Sequence, residues 1–511
     1  MEKDNVFIGE EARARLMKGV DKVADAVKGT LGSSGYNALL ADPRPPYAIP
    51  TNDGISVARA IYLGDPIEQM GANLMREIGA KSDKEGGDGT TTSITLAQAI
   101  LQEGLGATES PMEVKRSLEE CLPIILKSLD EQKRDITVDE VGKVASIAAE
   151  DERIGALIQE IYQKIGKDGI LYPDISRTPD DHYTVGSGVK IEGAGLSSPY
   201  MSDEKAEGGF TRTVNISTPK ILITKQEIPN LFALERAINL LIPQGIKDLV
   251  VFCDQAKGVA ISEAILTRQK NGFRTIIVQL PVLWQNEWFE DVAKMTGATV
   301  IDPSIGVGLD KVQSAYLGSC ETLVIDRYDT FFEGILDLST HIKELEAGSD
   351  EDKIRAARLN TKTARLFVGA HSESALAYKR LKVEDARNAA WQALHGGVCV
   401  GGGIALYNAS KEMPDTVGGN ILRSALQAPL KQIIINAGDT STEIILPSAN
   451  HGFNAKTGKV EDMFEAGIVD ACPVVKNAIT NAISVAATVL TTRVIVSQPD
   501  ISLVGGPPQS V

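Results

Sequence analysis

Apolar residues recur along the chain at two different periods, and the two textures divide it. Leu16, Val20, Val23 and Val27 fall at spacings of four, three and four. They draw one apolar stripe and predict a helix over residues 10–28. The same period predicts helices over 55–82, over 91–105 and from Pro111 to about residue 133. Between them lie Gly-rich breaks at Thr30-Leu31-Gly32-Ser33-Ser34-Gly35 and at Gly86-Gly87-Asp88-Gly89. Asn37-Ala38-Leu39-Leu40-Ala41, a proline-rich stretch at 43–50 and the turn Asn52-Asp53-Gly54 predict a pair of strands.

The middle reads differently. Residues 219–224, 248–253 and 274–279 are short β-branched or apolar runs, alternating with helical stretches near 230–242 and 257–271. Strand and helix at this spacing predict βαβ units around a partly parallel sheet. From Glu344 to Leu366 the chain is charged and helical in pattern. Further helices are predicted near 384–395, 402–412, 420–436 and 474–491, then a strand from Arg493. Two helix-rich ends thus flank an α/β centre, so the fold class is multidomain α/β and α. The ends are expected to fold together with the middle inserted, and no internal repeat is visible.

Composition narrows the function. The 511 residues suit about three domains. The formal charge of −16 disfavours nucleic acid or an anionic membrane surface as partner, since both need clustered Lys and Arg. Five scattered cysteines with no CxxC support neither a disulfide framework nor a thiolate zinc site. No apolar run approaches the length of a membrane span and the start lacks a signal-peptide pattern, so a cytoplasmic location is expected.

Candidate chemistry gathers in the Gly-rich turns. Gly86-Gly87-Asp88-Gly89-Thr90-Thr91-Thr92 leads straight into a helix. Glycines admit an anion to the backbone, a helix N-terminus offers free N–H groups and a positive dipole end, and the Asp can hold Mg²⁺. A Thr-capped helix after a plain loop fits the same residues equally well. No GxxxxGK[ST] is present, which excludes a P-loop. Thr30 to Gly35 reads alone as a helix C-cap, and Gly401-Gly402-Gly403 as a linker or a close backbone approach. Asp53, in a turn, and Asp385, placed by the pattern at the head of a helix, are candidate carboxylates for orienting and deprotonating a water.

In order along the chain stand "KGTLGSSGYNALL", "TNDGISVAR", "GDGTTTSITLAQAI", "PMEVKRS", "VEDARNAAWQALHGGVCVGGGIAL", "APLKQIIINAG", "GFNAKTG" and "GIVDACPVVKNAI". With these motifs the sequence resembles the group I chaperonins, the GroEL family, over nearly its full length. The resemblance implies an equatorial ATPase domain at 1–131 and 396–511, a hinge domain at 132–187 and 364–395, and an apical α/β domain at 188–363. It implies binding of ATP and Mg²⁺, with K⁺ an open question at the first loop. Phosphates would lie between Thr30-Leu31-Gly32, with Ser33 and Asn52 alongside, and Asp88-Gly89-Thr90-Thr91-Thr92, with Asp88 as the Mg²⁺ ligand. Gly402, Asn454, Ala455 and Asp470 would surround the adenine and ribose. Asp53 and Asp385 would be the hydrolytic carboxylates, Asp385 arriving only when the hinge closes.

The resemblance also implies a homo-oligomeric ring or double ring, usually of seven subunits, with the terminal strands joining across neighbours. Its partners would be non-native client proteins and, in some members, a co-chaperonin lid. Clients would be held on an apolar groove at Leu196, Tyr200, Met201, Leu234, Ile238, Leu241, Ile261, Ile265 and Leu266. Read from spacing alone, Leu234, Ile238 and Leu241 are equally a core stripe. Departures from the family pattern mark a divergent member, of phage or reduced-genome type. Ser33 and Ser34 replace the usual Pro and Lys, and Asn52 stands for a Lys. Ala194 replaces an apical Arg, and Glu235 a groove leucine. A group II chaperonin, a ring scaffold without turnover and an ATP-dependent phosphotransferase are the alternatives.

Overall fold

A computed structural model describes residues 6–41, 48–86, 88–176, 178–198, 201, 213–281, 285–326, 328–360, 362–439 and 446–496. The chain divides into two compact units. One comprises Met1–Lys167, Pro173–His182 and Phe367–Val511, and the other Asp168–Tyr172 and Tyr183–Leu366. The first is therefore drawn from both chain ends and the second from the centre.

In the first unit, helices Glu10–Lys28, Pro66–Gly86, Thr90–Leu105, Pro111–Glu131 and Cys472–Thr491 pack around one core. The stripe Leu16, Val20, Val23 and Val27 is buried in it, with Met75, Ile94, Leu101, Ile125, Ile479 and Ile483. With so few aromatics, close approach of backbones supplies the packing. A Cβ on Gly19 would fall 1.8 Å from the Glu68 carbonyl oxygen, and one on Gly71 2.1 Å from that of Leu16. These glycines let the helices Glu10–Lys28 and Pro66–Gly86 touch along their backbones. Pro111 sits in the first turn of its helix, with Ser110 accepting from the Glu113 N–H, so the start there follows the expected capping chemistry.

Cys472–Thr491 is long and apolar enough to span a membrane by composition, with a mean hydropathy of 1.3. Its residues Ile479, Ala482, Ile483 and Ala486 are buried in the unit's core, so it serves as a central packing helix. Val6–Ile8 pairs antiparallel with Val494–Val496 of the same chain, Phe7 opposite Ile495, tying the two ends together. Ala38–Ala41 and Ala48–Thr51 form the expected strand pair.

The second unit holds a parallel sheet of order Val300–Ile301, Lys220–Thr224, Asp248–Cys253 and Arg274–Gln279, with helices Gly258–Asn271 and Gln285–Thr296 in the connections. A second sheet has the order Ile170–Ile175, Lys362–Val368, His182–Ile191, Thr330–Glu333, Thr322–Ile325 and Val214–Ser217. Phe252 and Phe332, one from each sheet, meet at 5.4 Å in the core.

Several boundaries differ from expectation. The helix predicted over 55–82 is two, Gly54–Ala60 and Pro66–Gly86, because Pro66 starts a new one. That over 420–436 is also two, Val417–Ala425 and Ala428–Asn436, the second with Pro429 in its first turn. The charged stretch after 344 ends in the strand Lys362–Val368.

Candidate nucleotide site

Three of the Gly-rich turns meet in the first unit. Gly89 takes φ 82°, and a Cβ there would lie 2.8 Å from Val474 of the C-terminal helix. Only glycine fits, and the loop is thereby pinned against the other end of the chain. Gly54 faces Thr91 so closely that a Cβ would lie 2.3 Å from its hydroxyl, which brings the Asn52-Asp53-Gly54 turn to the same helix N-terminus. Gly32 packs on Ile433, and Gly402 on Met463.

These approaches enclose a cavity of about 560 Å³, within the usual size of a small-molecule site. All of the nucleotide and hydrolytic candidates line it: Thr30, Leu31, Gly32, Ser33, Asn52, Asp53, Asp88, Gly89, Thr90, Thr91, Thr92, Asp385, Gly402, Asn454, Ala455 and Asp470. Positions 53 and 385 thus share one chamber across more than 300 residues of chain.

Side-chain roles are more varied. The Thr30 hydroxyl donates to the Val27 carbonyl at 2.8 Å, and that of Thr90 points to the Gly79 carbonyl at 3.4 Å. Both are spent on structure, leaving backbone N–H groups and the half-buried Thr91 and Thr92 for an anion. The Asn454 amide bonds to Glu461 and accepts from the Lys456 N–H, holding the hairpin His451–Asn454 with Lys459–Asp462. Asp53 caps helix Gly54–Ala60, accepting from the N–H groups of Ile55 and Ser56 at 3.3 and 3.0 Å. Asn52 donates to both carboxylate oxygens of Glu150, at 2.9 and 3.0 Å.

Asp385 departs from expectation. It lies in the middle of helix Glu373–Gly396, which Ser372 caps, so it is not an N-cap. It faces the cavity in this structure. Asp88, Asp385 and Asp470 keep part of their surface open, but that surface looks into the cavity, and dense protein surrounds each. Burial accordingly pushes the Asp385 carboxyl well above the usual carboxylate range, with the charges of Asp88 and Asp53 adding to it. Burial also raises Asp88, and it pushes Asp470 up to about 7, helped by the Asp88 charge.

Such mutual repulsion is what a bound cation would relieve. Among the described residues no group of three or more His, Cys, Asp or Glu forms a metal cage. Mg²⁺ shared with phosphates needs only one or two carboxylates, and Asp88 beside the Thr90 helix N-terminus meets that need.

The family model for the TCP-1/cpn60 chaperonin family matches residues 23–165 and 223–499. The chain belongs to that family. The fold is the chaperonin fold. Two crystal forms of the chaperonin gp146 from the bacteriophage EL 2 (Pseudomonas aeruginosa), in presence of ATP-BeFx, are similar in structure. Crystal form II aligns with a TM-score of 0.72 at 18% identity, over 96% of this chain and 98% of that one. Crystal form I aligns with 0.65 at 19%, over 96% and 99%.

Among the cavity residues that escaped sequence reasoning are Glu150 and Lys382. Lys382 precedes Asp385 by three positions, a spacing that puts both on one helix face and was a usable signal. Glu150 gave none.

The apical candidates need correction. Leu196, Met201, Leu234 and Leu241 are core residues of the second unit, and Ile238, Ile261 and Ile265 are half-buried against the same core. Their helices turn the apolar stripe inward to cover the parallel sheet. Tyr200 lies outside the described residues. Leu266 is exposed, and so are Phe232 (76%), Val259 and Ile242. An apolar surface therefore exists on these elements, formed by the expected Leu266 together with Phe232, Val259 and Ile242.

Proposed function

We propose that the chain is an ATP-hydrolysing chaperonin subunit. It would capture non-native proteins on exposed apolar side chains of the α/β unit and use ATP binding and hydrolysis to drive their release and folding within a ring-enclosed cavity. The observation that carries this reading is the single chamber holding Asp53, Asp88 and Asp385 beside a helix N-terminus and three Gly-rich turns. The phage chaperonin's crystals with ATP-BeFx support nucleotide use. Backbone N–H groups of Gly32 and of Thr90, Thr91 and Thr92 at the helix N-terminus would hold the phosphates, since those of Thr30, Leu31 and Gly89 already donate to Val27, Lys28 and Asp88. Asp385 and Asp53 would orient the attacking water and take its proton. Mg²⁺ at Asp88 would neutralise charge on the phosphates. The order Val383-Glu384-Asp385, Gly401-Gly402-Gly403 and Gly452-Phe453-Asn454-Ala455 favours group I.

Ring assembly is supported by the ribbon of Val6–Ile8 and Val494–Val496, whose Val6, Ile8, Val494 and Val496 are all exposed. A two-stranded ribbon with apolar faces calls for a partner. Electron micrographs of the purified protein, with and without ATP, together with phosphate release, test the proposal. Rings that change shape with ATP and release phosphate are expected. Monomers, or rings inert towards ATP, would overturn it.

A further inference from the structure

Cations are unevenly placed around the nucleotide cavity. Lys143, Lys382 and Lys456 are the lysines that line it. Lys143 rests its stem against Gly467, and the Lys456 N–H belongs to the hairpin turn at Asn454. Lys382 stands among the acids, and its charge acts on both Asp88 and Asp385. With Asp385 and Ala389 it forms one face, at i, i+3 and i+7, of helix Glu373–Gly396. Its side chain is 9% exposed, and its ammonium lies 2.9 Å from Glu150 Oε1.

Glu150 is held in turn. Asn52 donates to both of its oxygens. Its backbone is left-handed, with φ 54° and ψ 21°, at the junction of helices Val141–Ala149 and Glu152–Ile165. A residue with a Cβ keeps that conformation only where its surroundings impose it, and such strain gathers at functional sites. The result is a carboxylate fixed on the cavity wall with a lysine clamped to it.

The charge balance makes this pair consequential. Of the three cavity lysines, Lys382 is the one whose charge acts on Asp88 and Asp385 and whose ammonium pairs with Glu150, and a triphosphate would bring further negative charge into the same space. An ammonium is a compact charge well suited to phosphate oxygens. We propose that Lys382 reads the terminal phosphate of the nucleotide, and that Glu150, braced by Asn52, is the competitor that holds the lysine until nucleotide arrives. Binding exchanges one anionic partner of Lys382 for another, with no net loss of pairing. This inference rests on the ATP reading above.

Opposite signs for the two partners of one ion pair provide the test. Affinities for Mg·ATP and Mg·ADP are measured by calorimetry on the purified full chain and its variants. Lys382→Met is expected to weaken Mg·ATP by about 10–100-fold and Mg·ADP by less than threefold, the range of one charge-assisted hydrogen bond. Glu150→Gln, which frees the lysine, is expected to tighten Mg·ATP several-fold. Lys382→Arg should recover most of the loss, and the Glu150→Gln/Lys382→Met double variant should remain as weak as Lys382→Met. A pair that merely braces the fold predicts otherwise: equal losses for both nucleotides in either single variant, recovered in the double variant, where no buried charge is stranded. That outcome would overturn the proposal. So would a Lys382→Met protein that binds Mg·ATP as the wild type does. A wild-type chain that binds neither nucleotide would instead remove the ATP reading itself.

Discussion

Replacing Asp385 by Asn separates chemistry from binding. Asn keeps the size of the side chain and has about the helix propensity of Asp, so helix Glu373–Gly396 with its Ser372 cap should persist. What disappears is a carboxylate that faces the same chamber as Asp53 and Asp88. As a general base it is worth about 10²–10⁴ in rate, or about 3–5 kcal/mol of barrier. Its effect on affinity has the opposite sign. A negative charge roughly 7 Å from a phosphate charge repels it by about 2 kcal/mol at an effective dielectric of about 20. Removing it should therefore leave ATP affinity unchanged or improve it by up to about thirtyfold. Stability adds a third readout. The Asp385 pKa is raised by burial and then by Asp88 and Asp53. The protonated form is thus favoured in the folded chain, and the stability it brings is full below the unfolded value and lost as pH rises through the folded one. Without nucleotide, Asp385→Asn should melt higher than the wild type at alkaline pH, with the gap closing on acidification. Single-turnover phosphate release at saturating Mg·ATP, with calorimetric binding and melting curves, reads all three. Release within threefold of wild type would remove Asp385 from the chemistry, and loss of release together with loss of binding would make it a binding residue.

Asp470 offers a cleaner titration, because burial and the Asp88 charge push it up to about 7 from 3.8. Its contribution is complete below about pH 4 and lost as pH passes 7, up to about 4 kcal/mol at 1.36 kcal/mol per unit. Asp470→Asn should flatten the decline in nucleotide-free melting temperature across that window, and parallel curves for variant and wild type would contradict it. In the α/β unit, Leu234→Ala should cost about 2–5 kcal/mol in denaturant unfolding, since Leu234 is 1% exposed. Phe232→Ser, at an exposed position, should cost less than about 0.5 kcal/mol yet weaken capture of an unfolded protein in a co-sedimentation assay. The reverse ranking for stability would mean that the core assignment is mistaken.

Periodicity located most helices because an apolar stripe facing a single core leaves its spacing in the sequence. Glu10–Lys28 and the strands Asp248–Cys253 and Arg274–Gln279 match the predicted spans. Asp385 was misplaced within its helix because the turns before it, Ala375 to Lys382, are a charged and mixed face with no Gly or Pro to mark a boundary. The apical stripe failed for another reason. Spacing at Leu234, Ile238 and Leu241 states that one helix face is apolar but not what covers it, and here the unit's own core does. Glu150 was invisible because its left-handed backbone and its partners, 98 and 232 residues away, are products of the tertiary fold.

The cavity's charge shows how local reading and tertiary structure complement each other. Ser34 and Asn52 stand where the family resemblance leads one to expect lysines, so neither the first loop nor the turn at Asn52 supplies a lysine at those positions. In the folded chain Asn52 grips Glu150, and Glu150 grips Lys382. That lysine lies on the helix that also carries Asp385, so the group that would read the phosphate and the group that would act on water are rigidly linked by one helical turn. Any tilt of helix Glu373–Gly396 would then move both together. Shifting that helix should alter ATP affinity and turnover in step, whereas a lysine on the loop would let the two vary independently.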